Sequence, residues 1–180
     1  MQGPDDMAFW LFDFNFGLLL IRLVFGLAFA AHGAQKLFGW FGGYGIAGTG
    51  GFLESLGFRP GKMFATVSGL GEFIGGLLFA LGFLGAAGPA LMLSVMLVAS
   101  ITVHLKNGFF ATGNGIELPL LYAVGAIGVA LTGPGHYSLD AALGYQLSTP
   151  KLTWIFLALG LIGGIANLAL RRPSPSSPVV

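Results

Sequence analysis

Apolar positions fall into five long runs, and the few charged residues lie either between those runs or singly inside them. The first run, 18–40, carries Arg22 and His32 and closes with Gln35 and Lys36. The second, about 64–84, contains Glu72; the third, about 89–105, ends at His104; the fourth, about 116–131, opens on Glu117. The fifth, 152–170, starts behind Pro150 and stops at Arg171-Arg172. A run of roughly twenty apolar residues crosses a hydrocarbon core as a helix, and a chain in lipid satisfies its backbone most simply that way. The pattern predicts an all-α, polytopic transmembrane helical bundle of five spans.

The connections are read from their turn residues. Residues 39–51 hold seven glycines, which argues on entropy against a regular helix there. Phe52 to Phe58 reads as a short amphipathic piece on the membrane surface or as a re-entrant element. Gly85, Gly88 and Pro89 form a tight turn, Lys106 to Gly115 a polar connection, and Gly133-Pro134-Gly135 a helix stop. Ser138-Leu139-Asp140 resembles an N-cap and first turn of a short surface helix. The chain then divides into an interfacial, aromatic N-terminal segment (1–17), a four-helix core (18–144), an additional helix (145–172) and a Pro/Ser-rich disordered tail (173–180). Asp5, Asp6 and Asp13 without a Lys or Arg make the first segment mature sequence rather than a secretory signal.

Composition agrees: 55% of residues are hydrophobic, 8% are charged and the mean hydropathy is +0.84, against roughly a quarter charged in soluble domains. The net charge of +1 comes without a basic block, so no nucleic-acid partner is expected. The absence of cysteine excludes disulfides, thiolate metal sites and iron–sulfur ligation by this chain. Any redox role must therefore use a quinone, a haem held by His or Met, or a partner's cofactor. Lys36, Arg59, Lys62, Lys106, Arg171 and Arg172 fall on one side of the five-span arrangement and Lys151 on the other. The positive-inside rule places the N-terminus outside and the C-terminus in the cytoplasm.

Alternating spans put His32, His104, Glu117 and Glu72 in one half of the membrane, with Arg22 roughly 15 Å further toward the outside. A charged or ionisable residue at that depth costs roughly a few kcal/mol and is expected to face protein or water with a partner. Gly69, Glu72 and Gly76 share a face of the second span, and Gly71 and Gly75 form a GxxxG, so a neighbouring helix can approach closely beside Glu72. Arg22, Gly26, Phe29 and Gly33 share a stripe of the first. Structural readings stand beside functional ones: an Arg22–Glu72 ion pair setting helix registry, hydrogen-bonded interfacial histidines, and a capping box joining Asn114 to Glu117. Two histidines without ligand spacing argue against a metal or haem. The GxGxxG at Gly43 to Gly48 follows a membrane helix instead of a strand and is not a dinucleotide motif. Gly160 and Gly164 form a second GxxxG, a groove for a partner helix.

The order of Arg22, His32-Gly33-Ala34-Gln35-Lys36-Leu37-Phe38, Gly45, Gly50-Gly51-Phe52, Gly69-Leu70-Gly71-Glu72, His104 with Asn107-Gly108-Phe109-Phe110, Asn114-Gly115-Ile116-Glu117, Gly133-Pro134-Gly135 and Ser138-Leu139-Asp140 resembles the DoxX family over residues 18 to 144. The resemblance implies a small inner-membrane protein of bacterial type, associated with redox metabolism. Relatives called DoxD are linked to thiosulfate oxidation with quinone as acceptor and to terminal oxidases. Span five and the N-terminal segment exceed the usual four-span pattern and suit attachment to other membrane-protein subunits.

The expectation is a subunit of a quinone-linked redox assembly. His32 or His104 would contact the head group, Glu72 or Glu117 would relay protons together with His104, and Arg22 and Gln35 would steady the site. A non-catalytic subunit stabilising a respiratory or photosynthetic complex is the alternative, and a proton or small-solute pathway a third.

Overall fold

Glycines decide how the bundle closes. In the computed structural model, which describes the backbone of residues 4–172 and the side chains of residues 14–172, helices α1 (Pro4–Phe38) and α3 (Gly61–Leu81) cross with their backbones touching. A Cβ on Gly26 would stand 2.6 Å from the Gly76 oxygen, one on Gly76 2.5 Å from the Gly26 oxygen, and one on Gly33 2.7 Å from the Gly69 oxygen. Gly26 and Gly33 on one helix, and Gly69 and Gly76 on the other, each lie two turns apart and so remain on one face.

A neighbouring face of α3 receives α4 (Ala87–Ala99), where Gly75 meets the Leu91 Cβ. Helix α4 is the centre of the bundle, packing on α3, α5 (Glu117–Thr132) and α7 (Pro150–Ala169), and its Met92 is fully buried. One core cluster joins Leu18, Phe29, Phe79, Met92, Met96, Ala126 and Val129; a second joins Ala86, Leu93, Ala130 and Leu157. Outward positions such as Val24, Val124, Trp154 and Ile162 are exposed and apolar, as a helix meeting acyl chains requires.

Four helical stretches are long and apolar enough to cross a membrane: Phe14–Phe38, Gly61–Leu81, Ala87–Asn107 and Pro150–Ala169. Helix α5 is shorter but joins the two ends of the bundle. Its first residues bond to the loop after α4 (Glu117 N–H to Phe109 O, 2.9 Å), and its last lead to Gly135, which lies against Leu18. The far end of α7 returns to the loop before α3, where Arg172 N–H donates to Gly57 O (2.8 Å) and the Arg171 side chain to Leu56 O (2.6 Å).

Several expectations change. Helix α1 runs unbroken from Pro4 to Phe38, and its part Phe14–Phe38 is the stretch long and apolar enough to cross a membrane. The tail at 173–180 lies outside the described residues. The glycine-rich stretch contains a helix, α2 (Gly45–Ser55). Gly50 explains why: a Cβ there would come within 3.0 Å of the Lys62 nitrogen, so the entropy cost of glycine is offset by close packing on α3. The groove of Gly160 and Gly164 is filled by this chain's own α4, Gly160 against the Ala90 carbonyl and Gly164 within 3.0 Å of the Ser94 oxygen by the same measure. No partner helix is needed to cover it.

The capping box does not form. Asn114 adopts a left-handed conformation (φ 61°), Ile116 is the N-cap of α5, and the Glu117 carboxylate accepts from the Ala111 N–H (2.7 Å). Ser138 does cap the short α6 (Leu139–Ala142) by accepting from Ala141 N–H. Ser138 and Asp140 are buried, however, and the Asp140 carboxylate accepts from Leu84 N–H (2.9 Å) and Gly85 N–H (2.7 Å), clamping the turn between α3 and α4.

Candidate functional site

The α1–α3 contact carries the site. Lys36 lies one turn beyond Gly33, and Glu72 one turn beyond Gly69, on antiparallel helices. Because helical side chains lean toward their own N-terminus, Lys36 reaches back into the bundle. Its Nζ donates to Glu72 Oε1 (2.6 Å) and to Ser68 Oγ (3.0 Å). Glu72 is 3% exposed, and its Oε2 is buried without a hydrogen-bond partner among the described residues.

Glu72 borders a cavity of about 680 Å³ between α1, α2, α3, α4 and α5. Most of its wall is apolar, including Phe29, Phe52, Phe58, Phe64, Leu91 and Met96. The polar wall comprises His32, Gln35, Lys36, Ser68, Glu72, Thr102, His104 and Tyr122 among others. Tyr122 stands edge-on to His32 with ring centroids 6.4 Å apart and packs on Phe25 and Phe29.

Each histidine is oriented by a neighbour. His32 Nδ1 lies 3.2 Å from Gln35 Oε1, while the Gln35 Nε2 donates to Phe41 O (3.1 Å). His104 Nδ1 lies 2.8 Å from Asn114 O. His104 closes one π-helical turn, Ser100–His104, that ends α4; such turns widen a helix and recur at functional sites. The Thr102 hydroxyl in the same turn donates to Val98 O (2.8 Å).

Of the residues singled out from sequence, Glu72, His32, His104 and Gln35 meet at this cavity, and Arg22 and Glu117 do not. The Arg22–Glu72 pair is replaced by Lys36–Glu72. Arg22 sits near the opposite end of α3, where a Cβ on Gly82 would touch its guanidinium; Gly82 is roughly 15 Å along the axis from Glu72. Its Nη1 donates to Pro134 O and its Nη2 to Ala80 O (3.2 Å) and Tyr137 O (2.7 Å). Arg22 therefore ties the end of α3 to the loop before α6. Lys36, Ser68, Thr102 and Tyr122 were missed as site residues. The position of Lys36 one turn after Gly33 is the signal that could have found it.

A buried carboxylate held by a lysine, in an apolar cavity formed largely by the first four helices, falls within the region matched by the DoxX family model, residues 17–105. The chain belongs to the DoxX family. It is similar to the Bacillus subtilis protein named "Putative oxidoreductase CatD", 34% identical over 128 residues that make up 71% of this chain and 87% of that protein. It is also similar to the inner membrane protein YqjF of Escherichia coli, 32% identical over 130 residues, 71% of this chain and 92% of the relative. An uncharacterized membrane protein of Mycobacterium tuberculosis is 29% identical over 136 residues, 70% of this chain and 80% of that protein. No solved structure matches the chain. This DoxX protein is a multi-pass membrane protein, and its family match ends just after His104, before α5 contributes Tyr122.

Proposed function

We propose that this DoxX protein is a quinone-handling subunit of a membrane redox assembly. The observation that carries the reading is Glu72: a buried carboxylate with one oxygen on Lys36 and the other without a hydrogen-bond partner among the described residues, bordering an apolar cavity. The cavity volume of about 680 Å³ lies within the range of roughly 300–1,000 Å³ typical of small-molecule sites. An apolar wall with a few convergent polar groups suits a lipid-soluble ring with polar oxygens.

In this reading His32 and His104 contact the head-group oxygens, Gln35 orients His32, Lys36 holds one oxygen of Glu72, and Glu72 exchanges a proton with the ligand. Glu117, bonded to its own loop, has no part in the relay. A chain without cysteine leaves the electrons to a cofactor of a companion subunit, met on the outward face of α7 or the N-terminal part of α1. The name of the Bacillus relative as an oxidoreductase supports the class. The cavity lies at the end rich in Lys and Arg, taken as cytoplasmic, with the N-terminus outside.

The test is purification in mild detergent, lipid extraction for quinone, and titration with a short-chain quinone. Glu72→Gln and His32→Ala should weaken binding and Glu117→Gln should not. Absence of bound quinone, together with unchanged quinone-linked turnover of membranes carrying Glu72→Gln, would remove the reading. Stable copurification with a large complex indifferent to these substitutions would make the chain a non-catalytic subunit.

A further inference from the structure

We infer that the cavity prefers the hydroxyl-bearing, reduced form of its ligand, a hydroquinone, over the carbonyl-bearing quinone; this rests on the quinone reading above. The reason is a count of donors and acceptors. Gln35 Nε2 is committed to the Phe41 carbonyl, so the amide oxygen is the atom that faces His32 Nδ1. An amide oxygen only accepts, hence Nδ1 carries the proton, and a neutral ring then leaves Nε2 as a bare acceptor. His104 obeys the same logic, because its Nδ1 faces the Asn114 carbonyl oxygen, which also only accepts.

Glu72 adds a third acceptor. Lys36 pairs with its Oε1, and a carboxylate in an ion pair accepts without donating. Its Oε2 is buried and has no hydrogen-bond partner among the described residues. Lys36 commits two of its three N–H donors to Glu72 and Ser68, and the Thr102 hydroxyl donates to Val98 O, while the hydroxyls of Tyr44, Thr49, Ser68 and Ser94 and the amides of Asn114 and Asn167 in the wall both donate and accept, so the groups that only accept set the preference. Tyr122 can serve either way, and the apolar wall does not discriminate between ring oxidation states. A quinone offers two more acceptors to this set; a hydroquinone offers two donors. A buried acceptor left unpaired costs the full desolvation of that group, which is what makes such sites selective.

The experiment compares three ligands that share one ring: tetramethylhydroquinone, tetramethylbenzoquinone and the dimethyl ether of the hydroquinone. Each is titrated calorimetrically and without oxygen into the full chain in detergent. The hydroquinone should bind about tenfold tighter, or more, than either of the others, as a hydrogen bond to a charged group implies. In Glu72→Gln the side chain both donates and accepts, so the preference over the quinone should shrink by about tenfold. Quinone binding as tightly as hydroquinone overturns the inference while leaving the quinone reading intact. Binding of none of the three removes both. Should Glu72→Gln fail to fold, the dimethyl ether decides on the unaltered protein, since an ether as tight as the hydroquinone overturns the inference.

Discussion

Lys36 Nζ stands 2.6 Å from Glu72 Oε1 across the α1–α3 contact, the lysine side chain 30% exposed and the glutamate side chain 4%. The pair is asymmetric: one partner meets water, and the other relies on it. Lys36→Met strands a buried carboxylate and should cost about 2–3 kcal/mol, below the figure for a fully buried pair because solvent reaches the lysine. Lys36→Met with Glu72→Gln should recover most of that loss. Thermal unfolding in detergent, arranged as a double-mutant cycle, measures the coupling.

The glycine contact yields a contrast within one residue type. Gly33→Ala and Gly76→Ala place a Cβ against backbone that cannot rotate away, Gly76 within 2.5 Å of the Gly26 oxygen. Each should cost about 1–3 kcal/mol or more by overpacking. Gly128→Ala in α5 meets nothing within 4 Å and should be neutral or gain up to about 1 kcal/mol of helix propensity. Folded yield and midpoint temperature of the three variants would settle the difference, and equal behaviour would refute the backbone contact.

Arg22 is a tie between carbonyls instead of a partner of Glu72. Arg22→Lys cannot reproduce its planar fork, and leaving carbonyls of Ala80, Pro134 and Tyr137 unpaired should cost about 2–3 kcal/mol. Ligand affinity of the folded fraction should be unchanged, because Arg22 does not border the cavity. A loss of affinity with normal stability would contradict this placement.

Asp140 makes a graded prediction. Its two oxygens accept from Leu84 N–H and Gly85 N–H. Asp140→Asn retains one acceptor and should cost about 1–2 kcal/mol, whereas Asp140→Ala loses both and should cost more. Protease sensitivity at the turn between α3 and α4 should rise in the same order.

Much of the bundle was legible along the chain. Apolar run length gave the five helices, four of them long enough to cross a membrane, and counting residues along each placed His32, Glu72, His104 and Glu117 in one half of the membrane, where the first three border one cavity and Glu117 does not. Helical periodicity also identified the faces of Gly26, Gly33, Gly69 and Gly76, because close approach demands small residues at that spacing.

The partners of those faces depended on the tertiary structure. Arg22 and Lys36 each have the length to reach a carboxylate, and depth estimates along single helices do not reveal which face meets which. The Gly33–Gly69 contact selects Lys36, and Arg22 goes to the carbonyls at the other end. The same limit explains α2, whose Gly50 packs against the start of α3. It also explains the Gly160–Gly164 groove, filled by α4 instead of by another protein. A sequence determines depth and face because both repeat with the rise and turn of one helix. Pairing depends on how two helices fit together, and that is a property of neither alone.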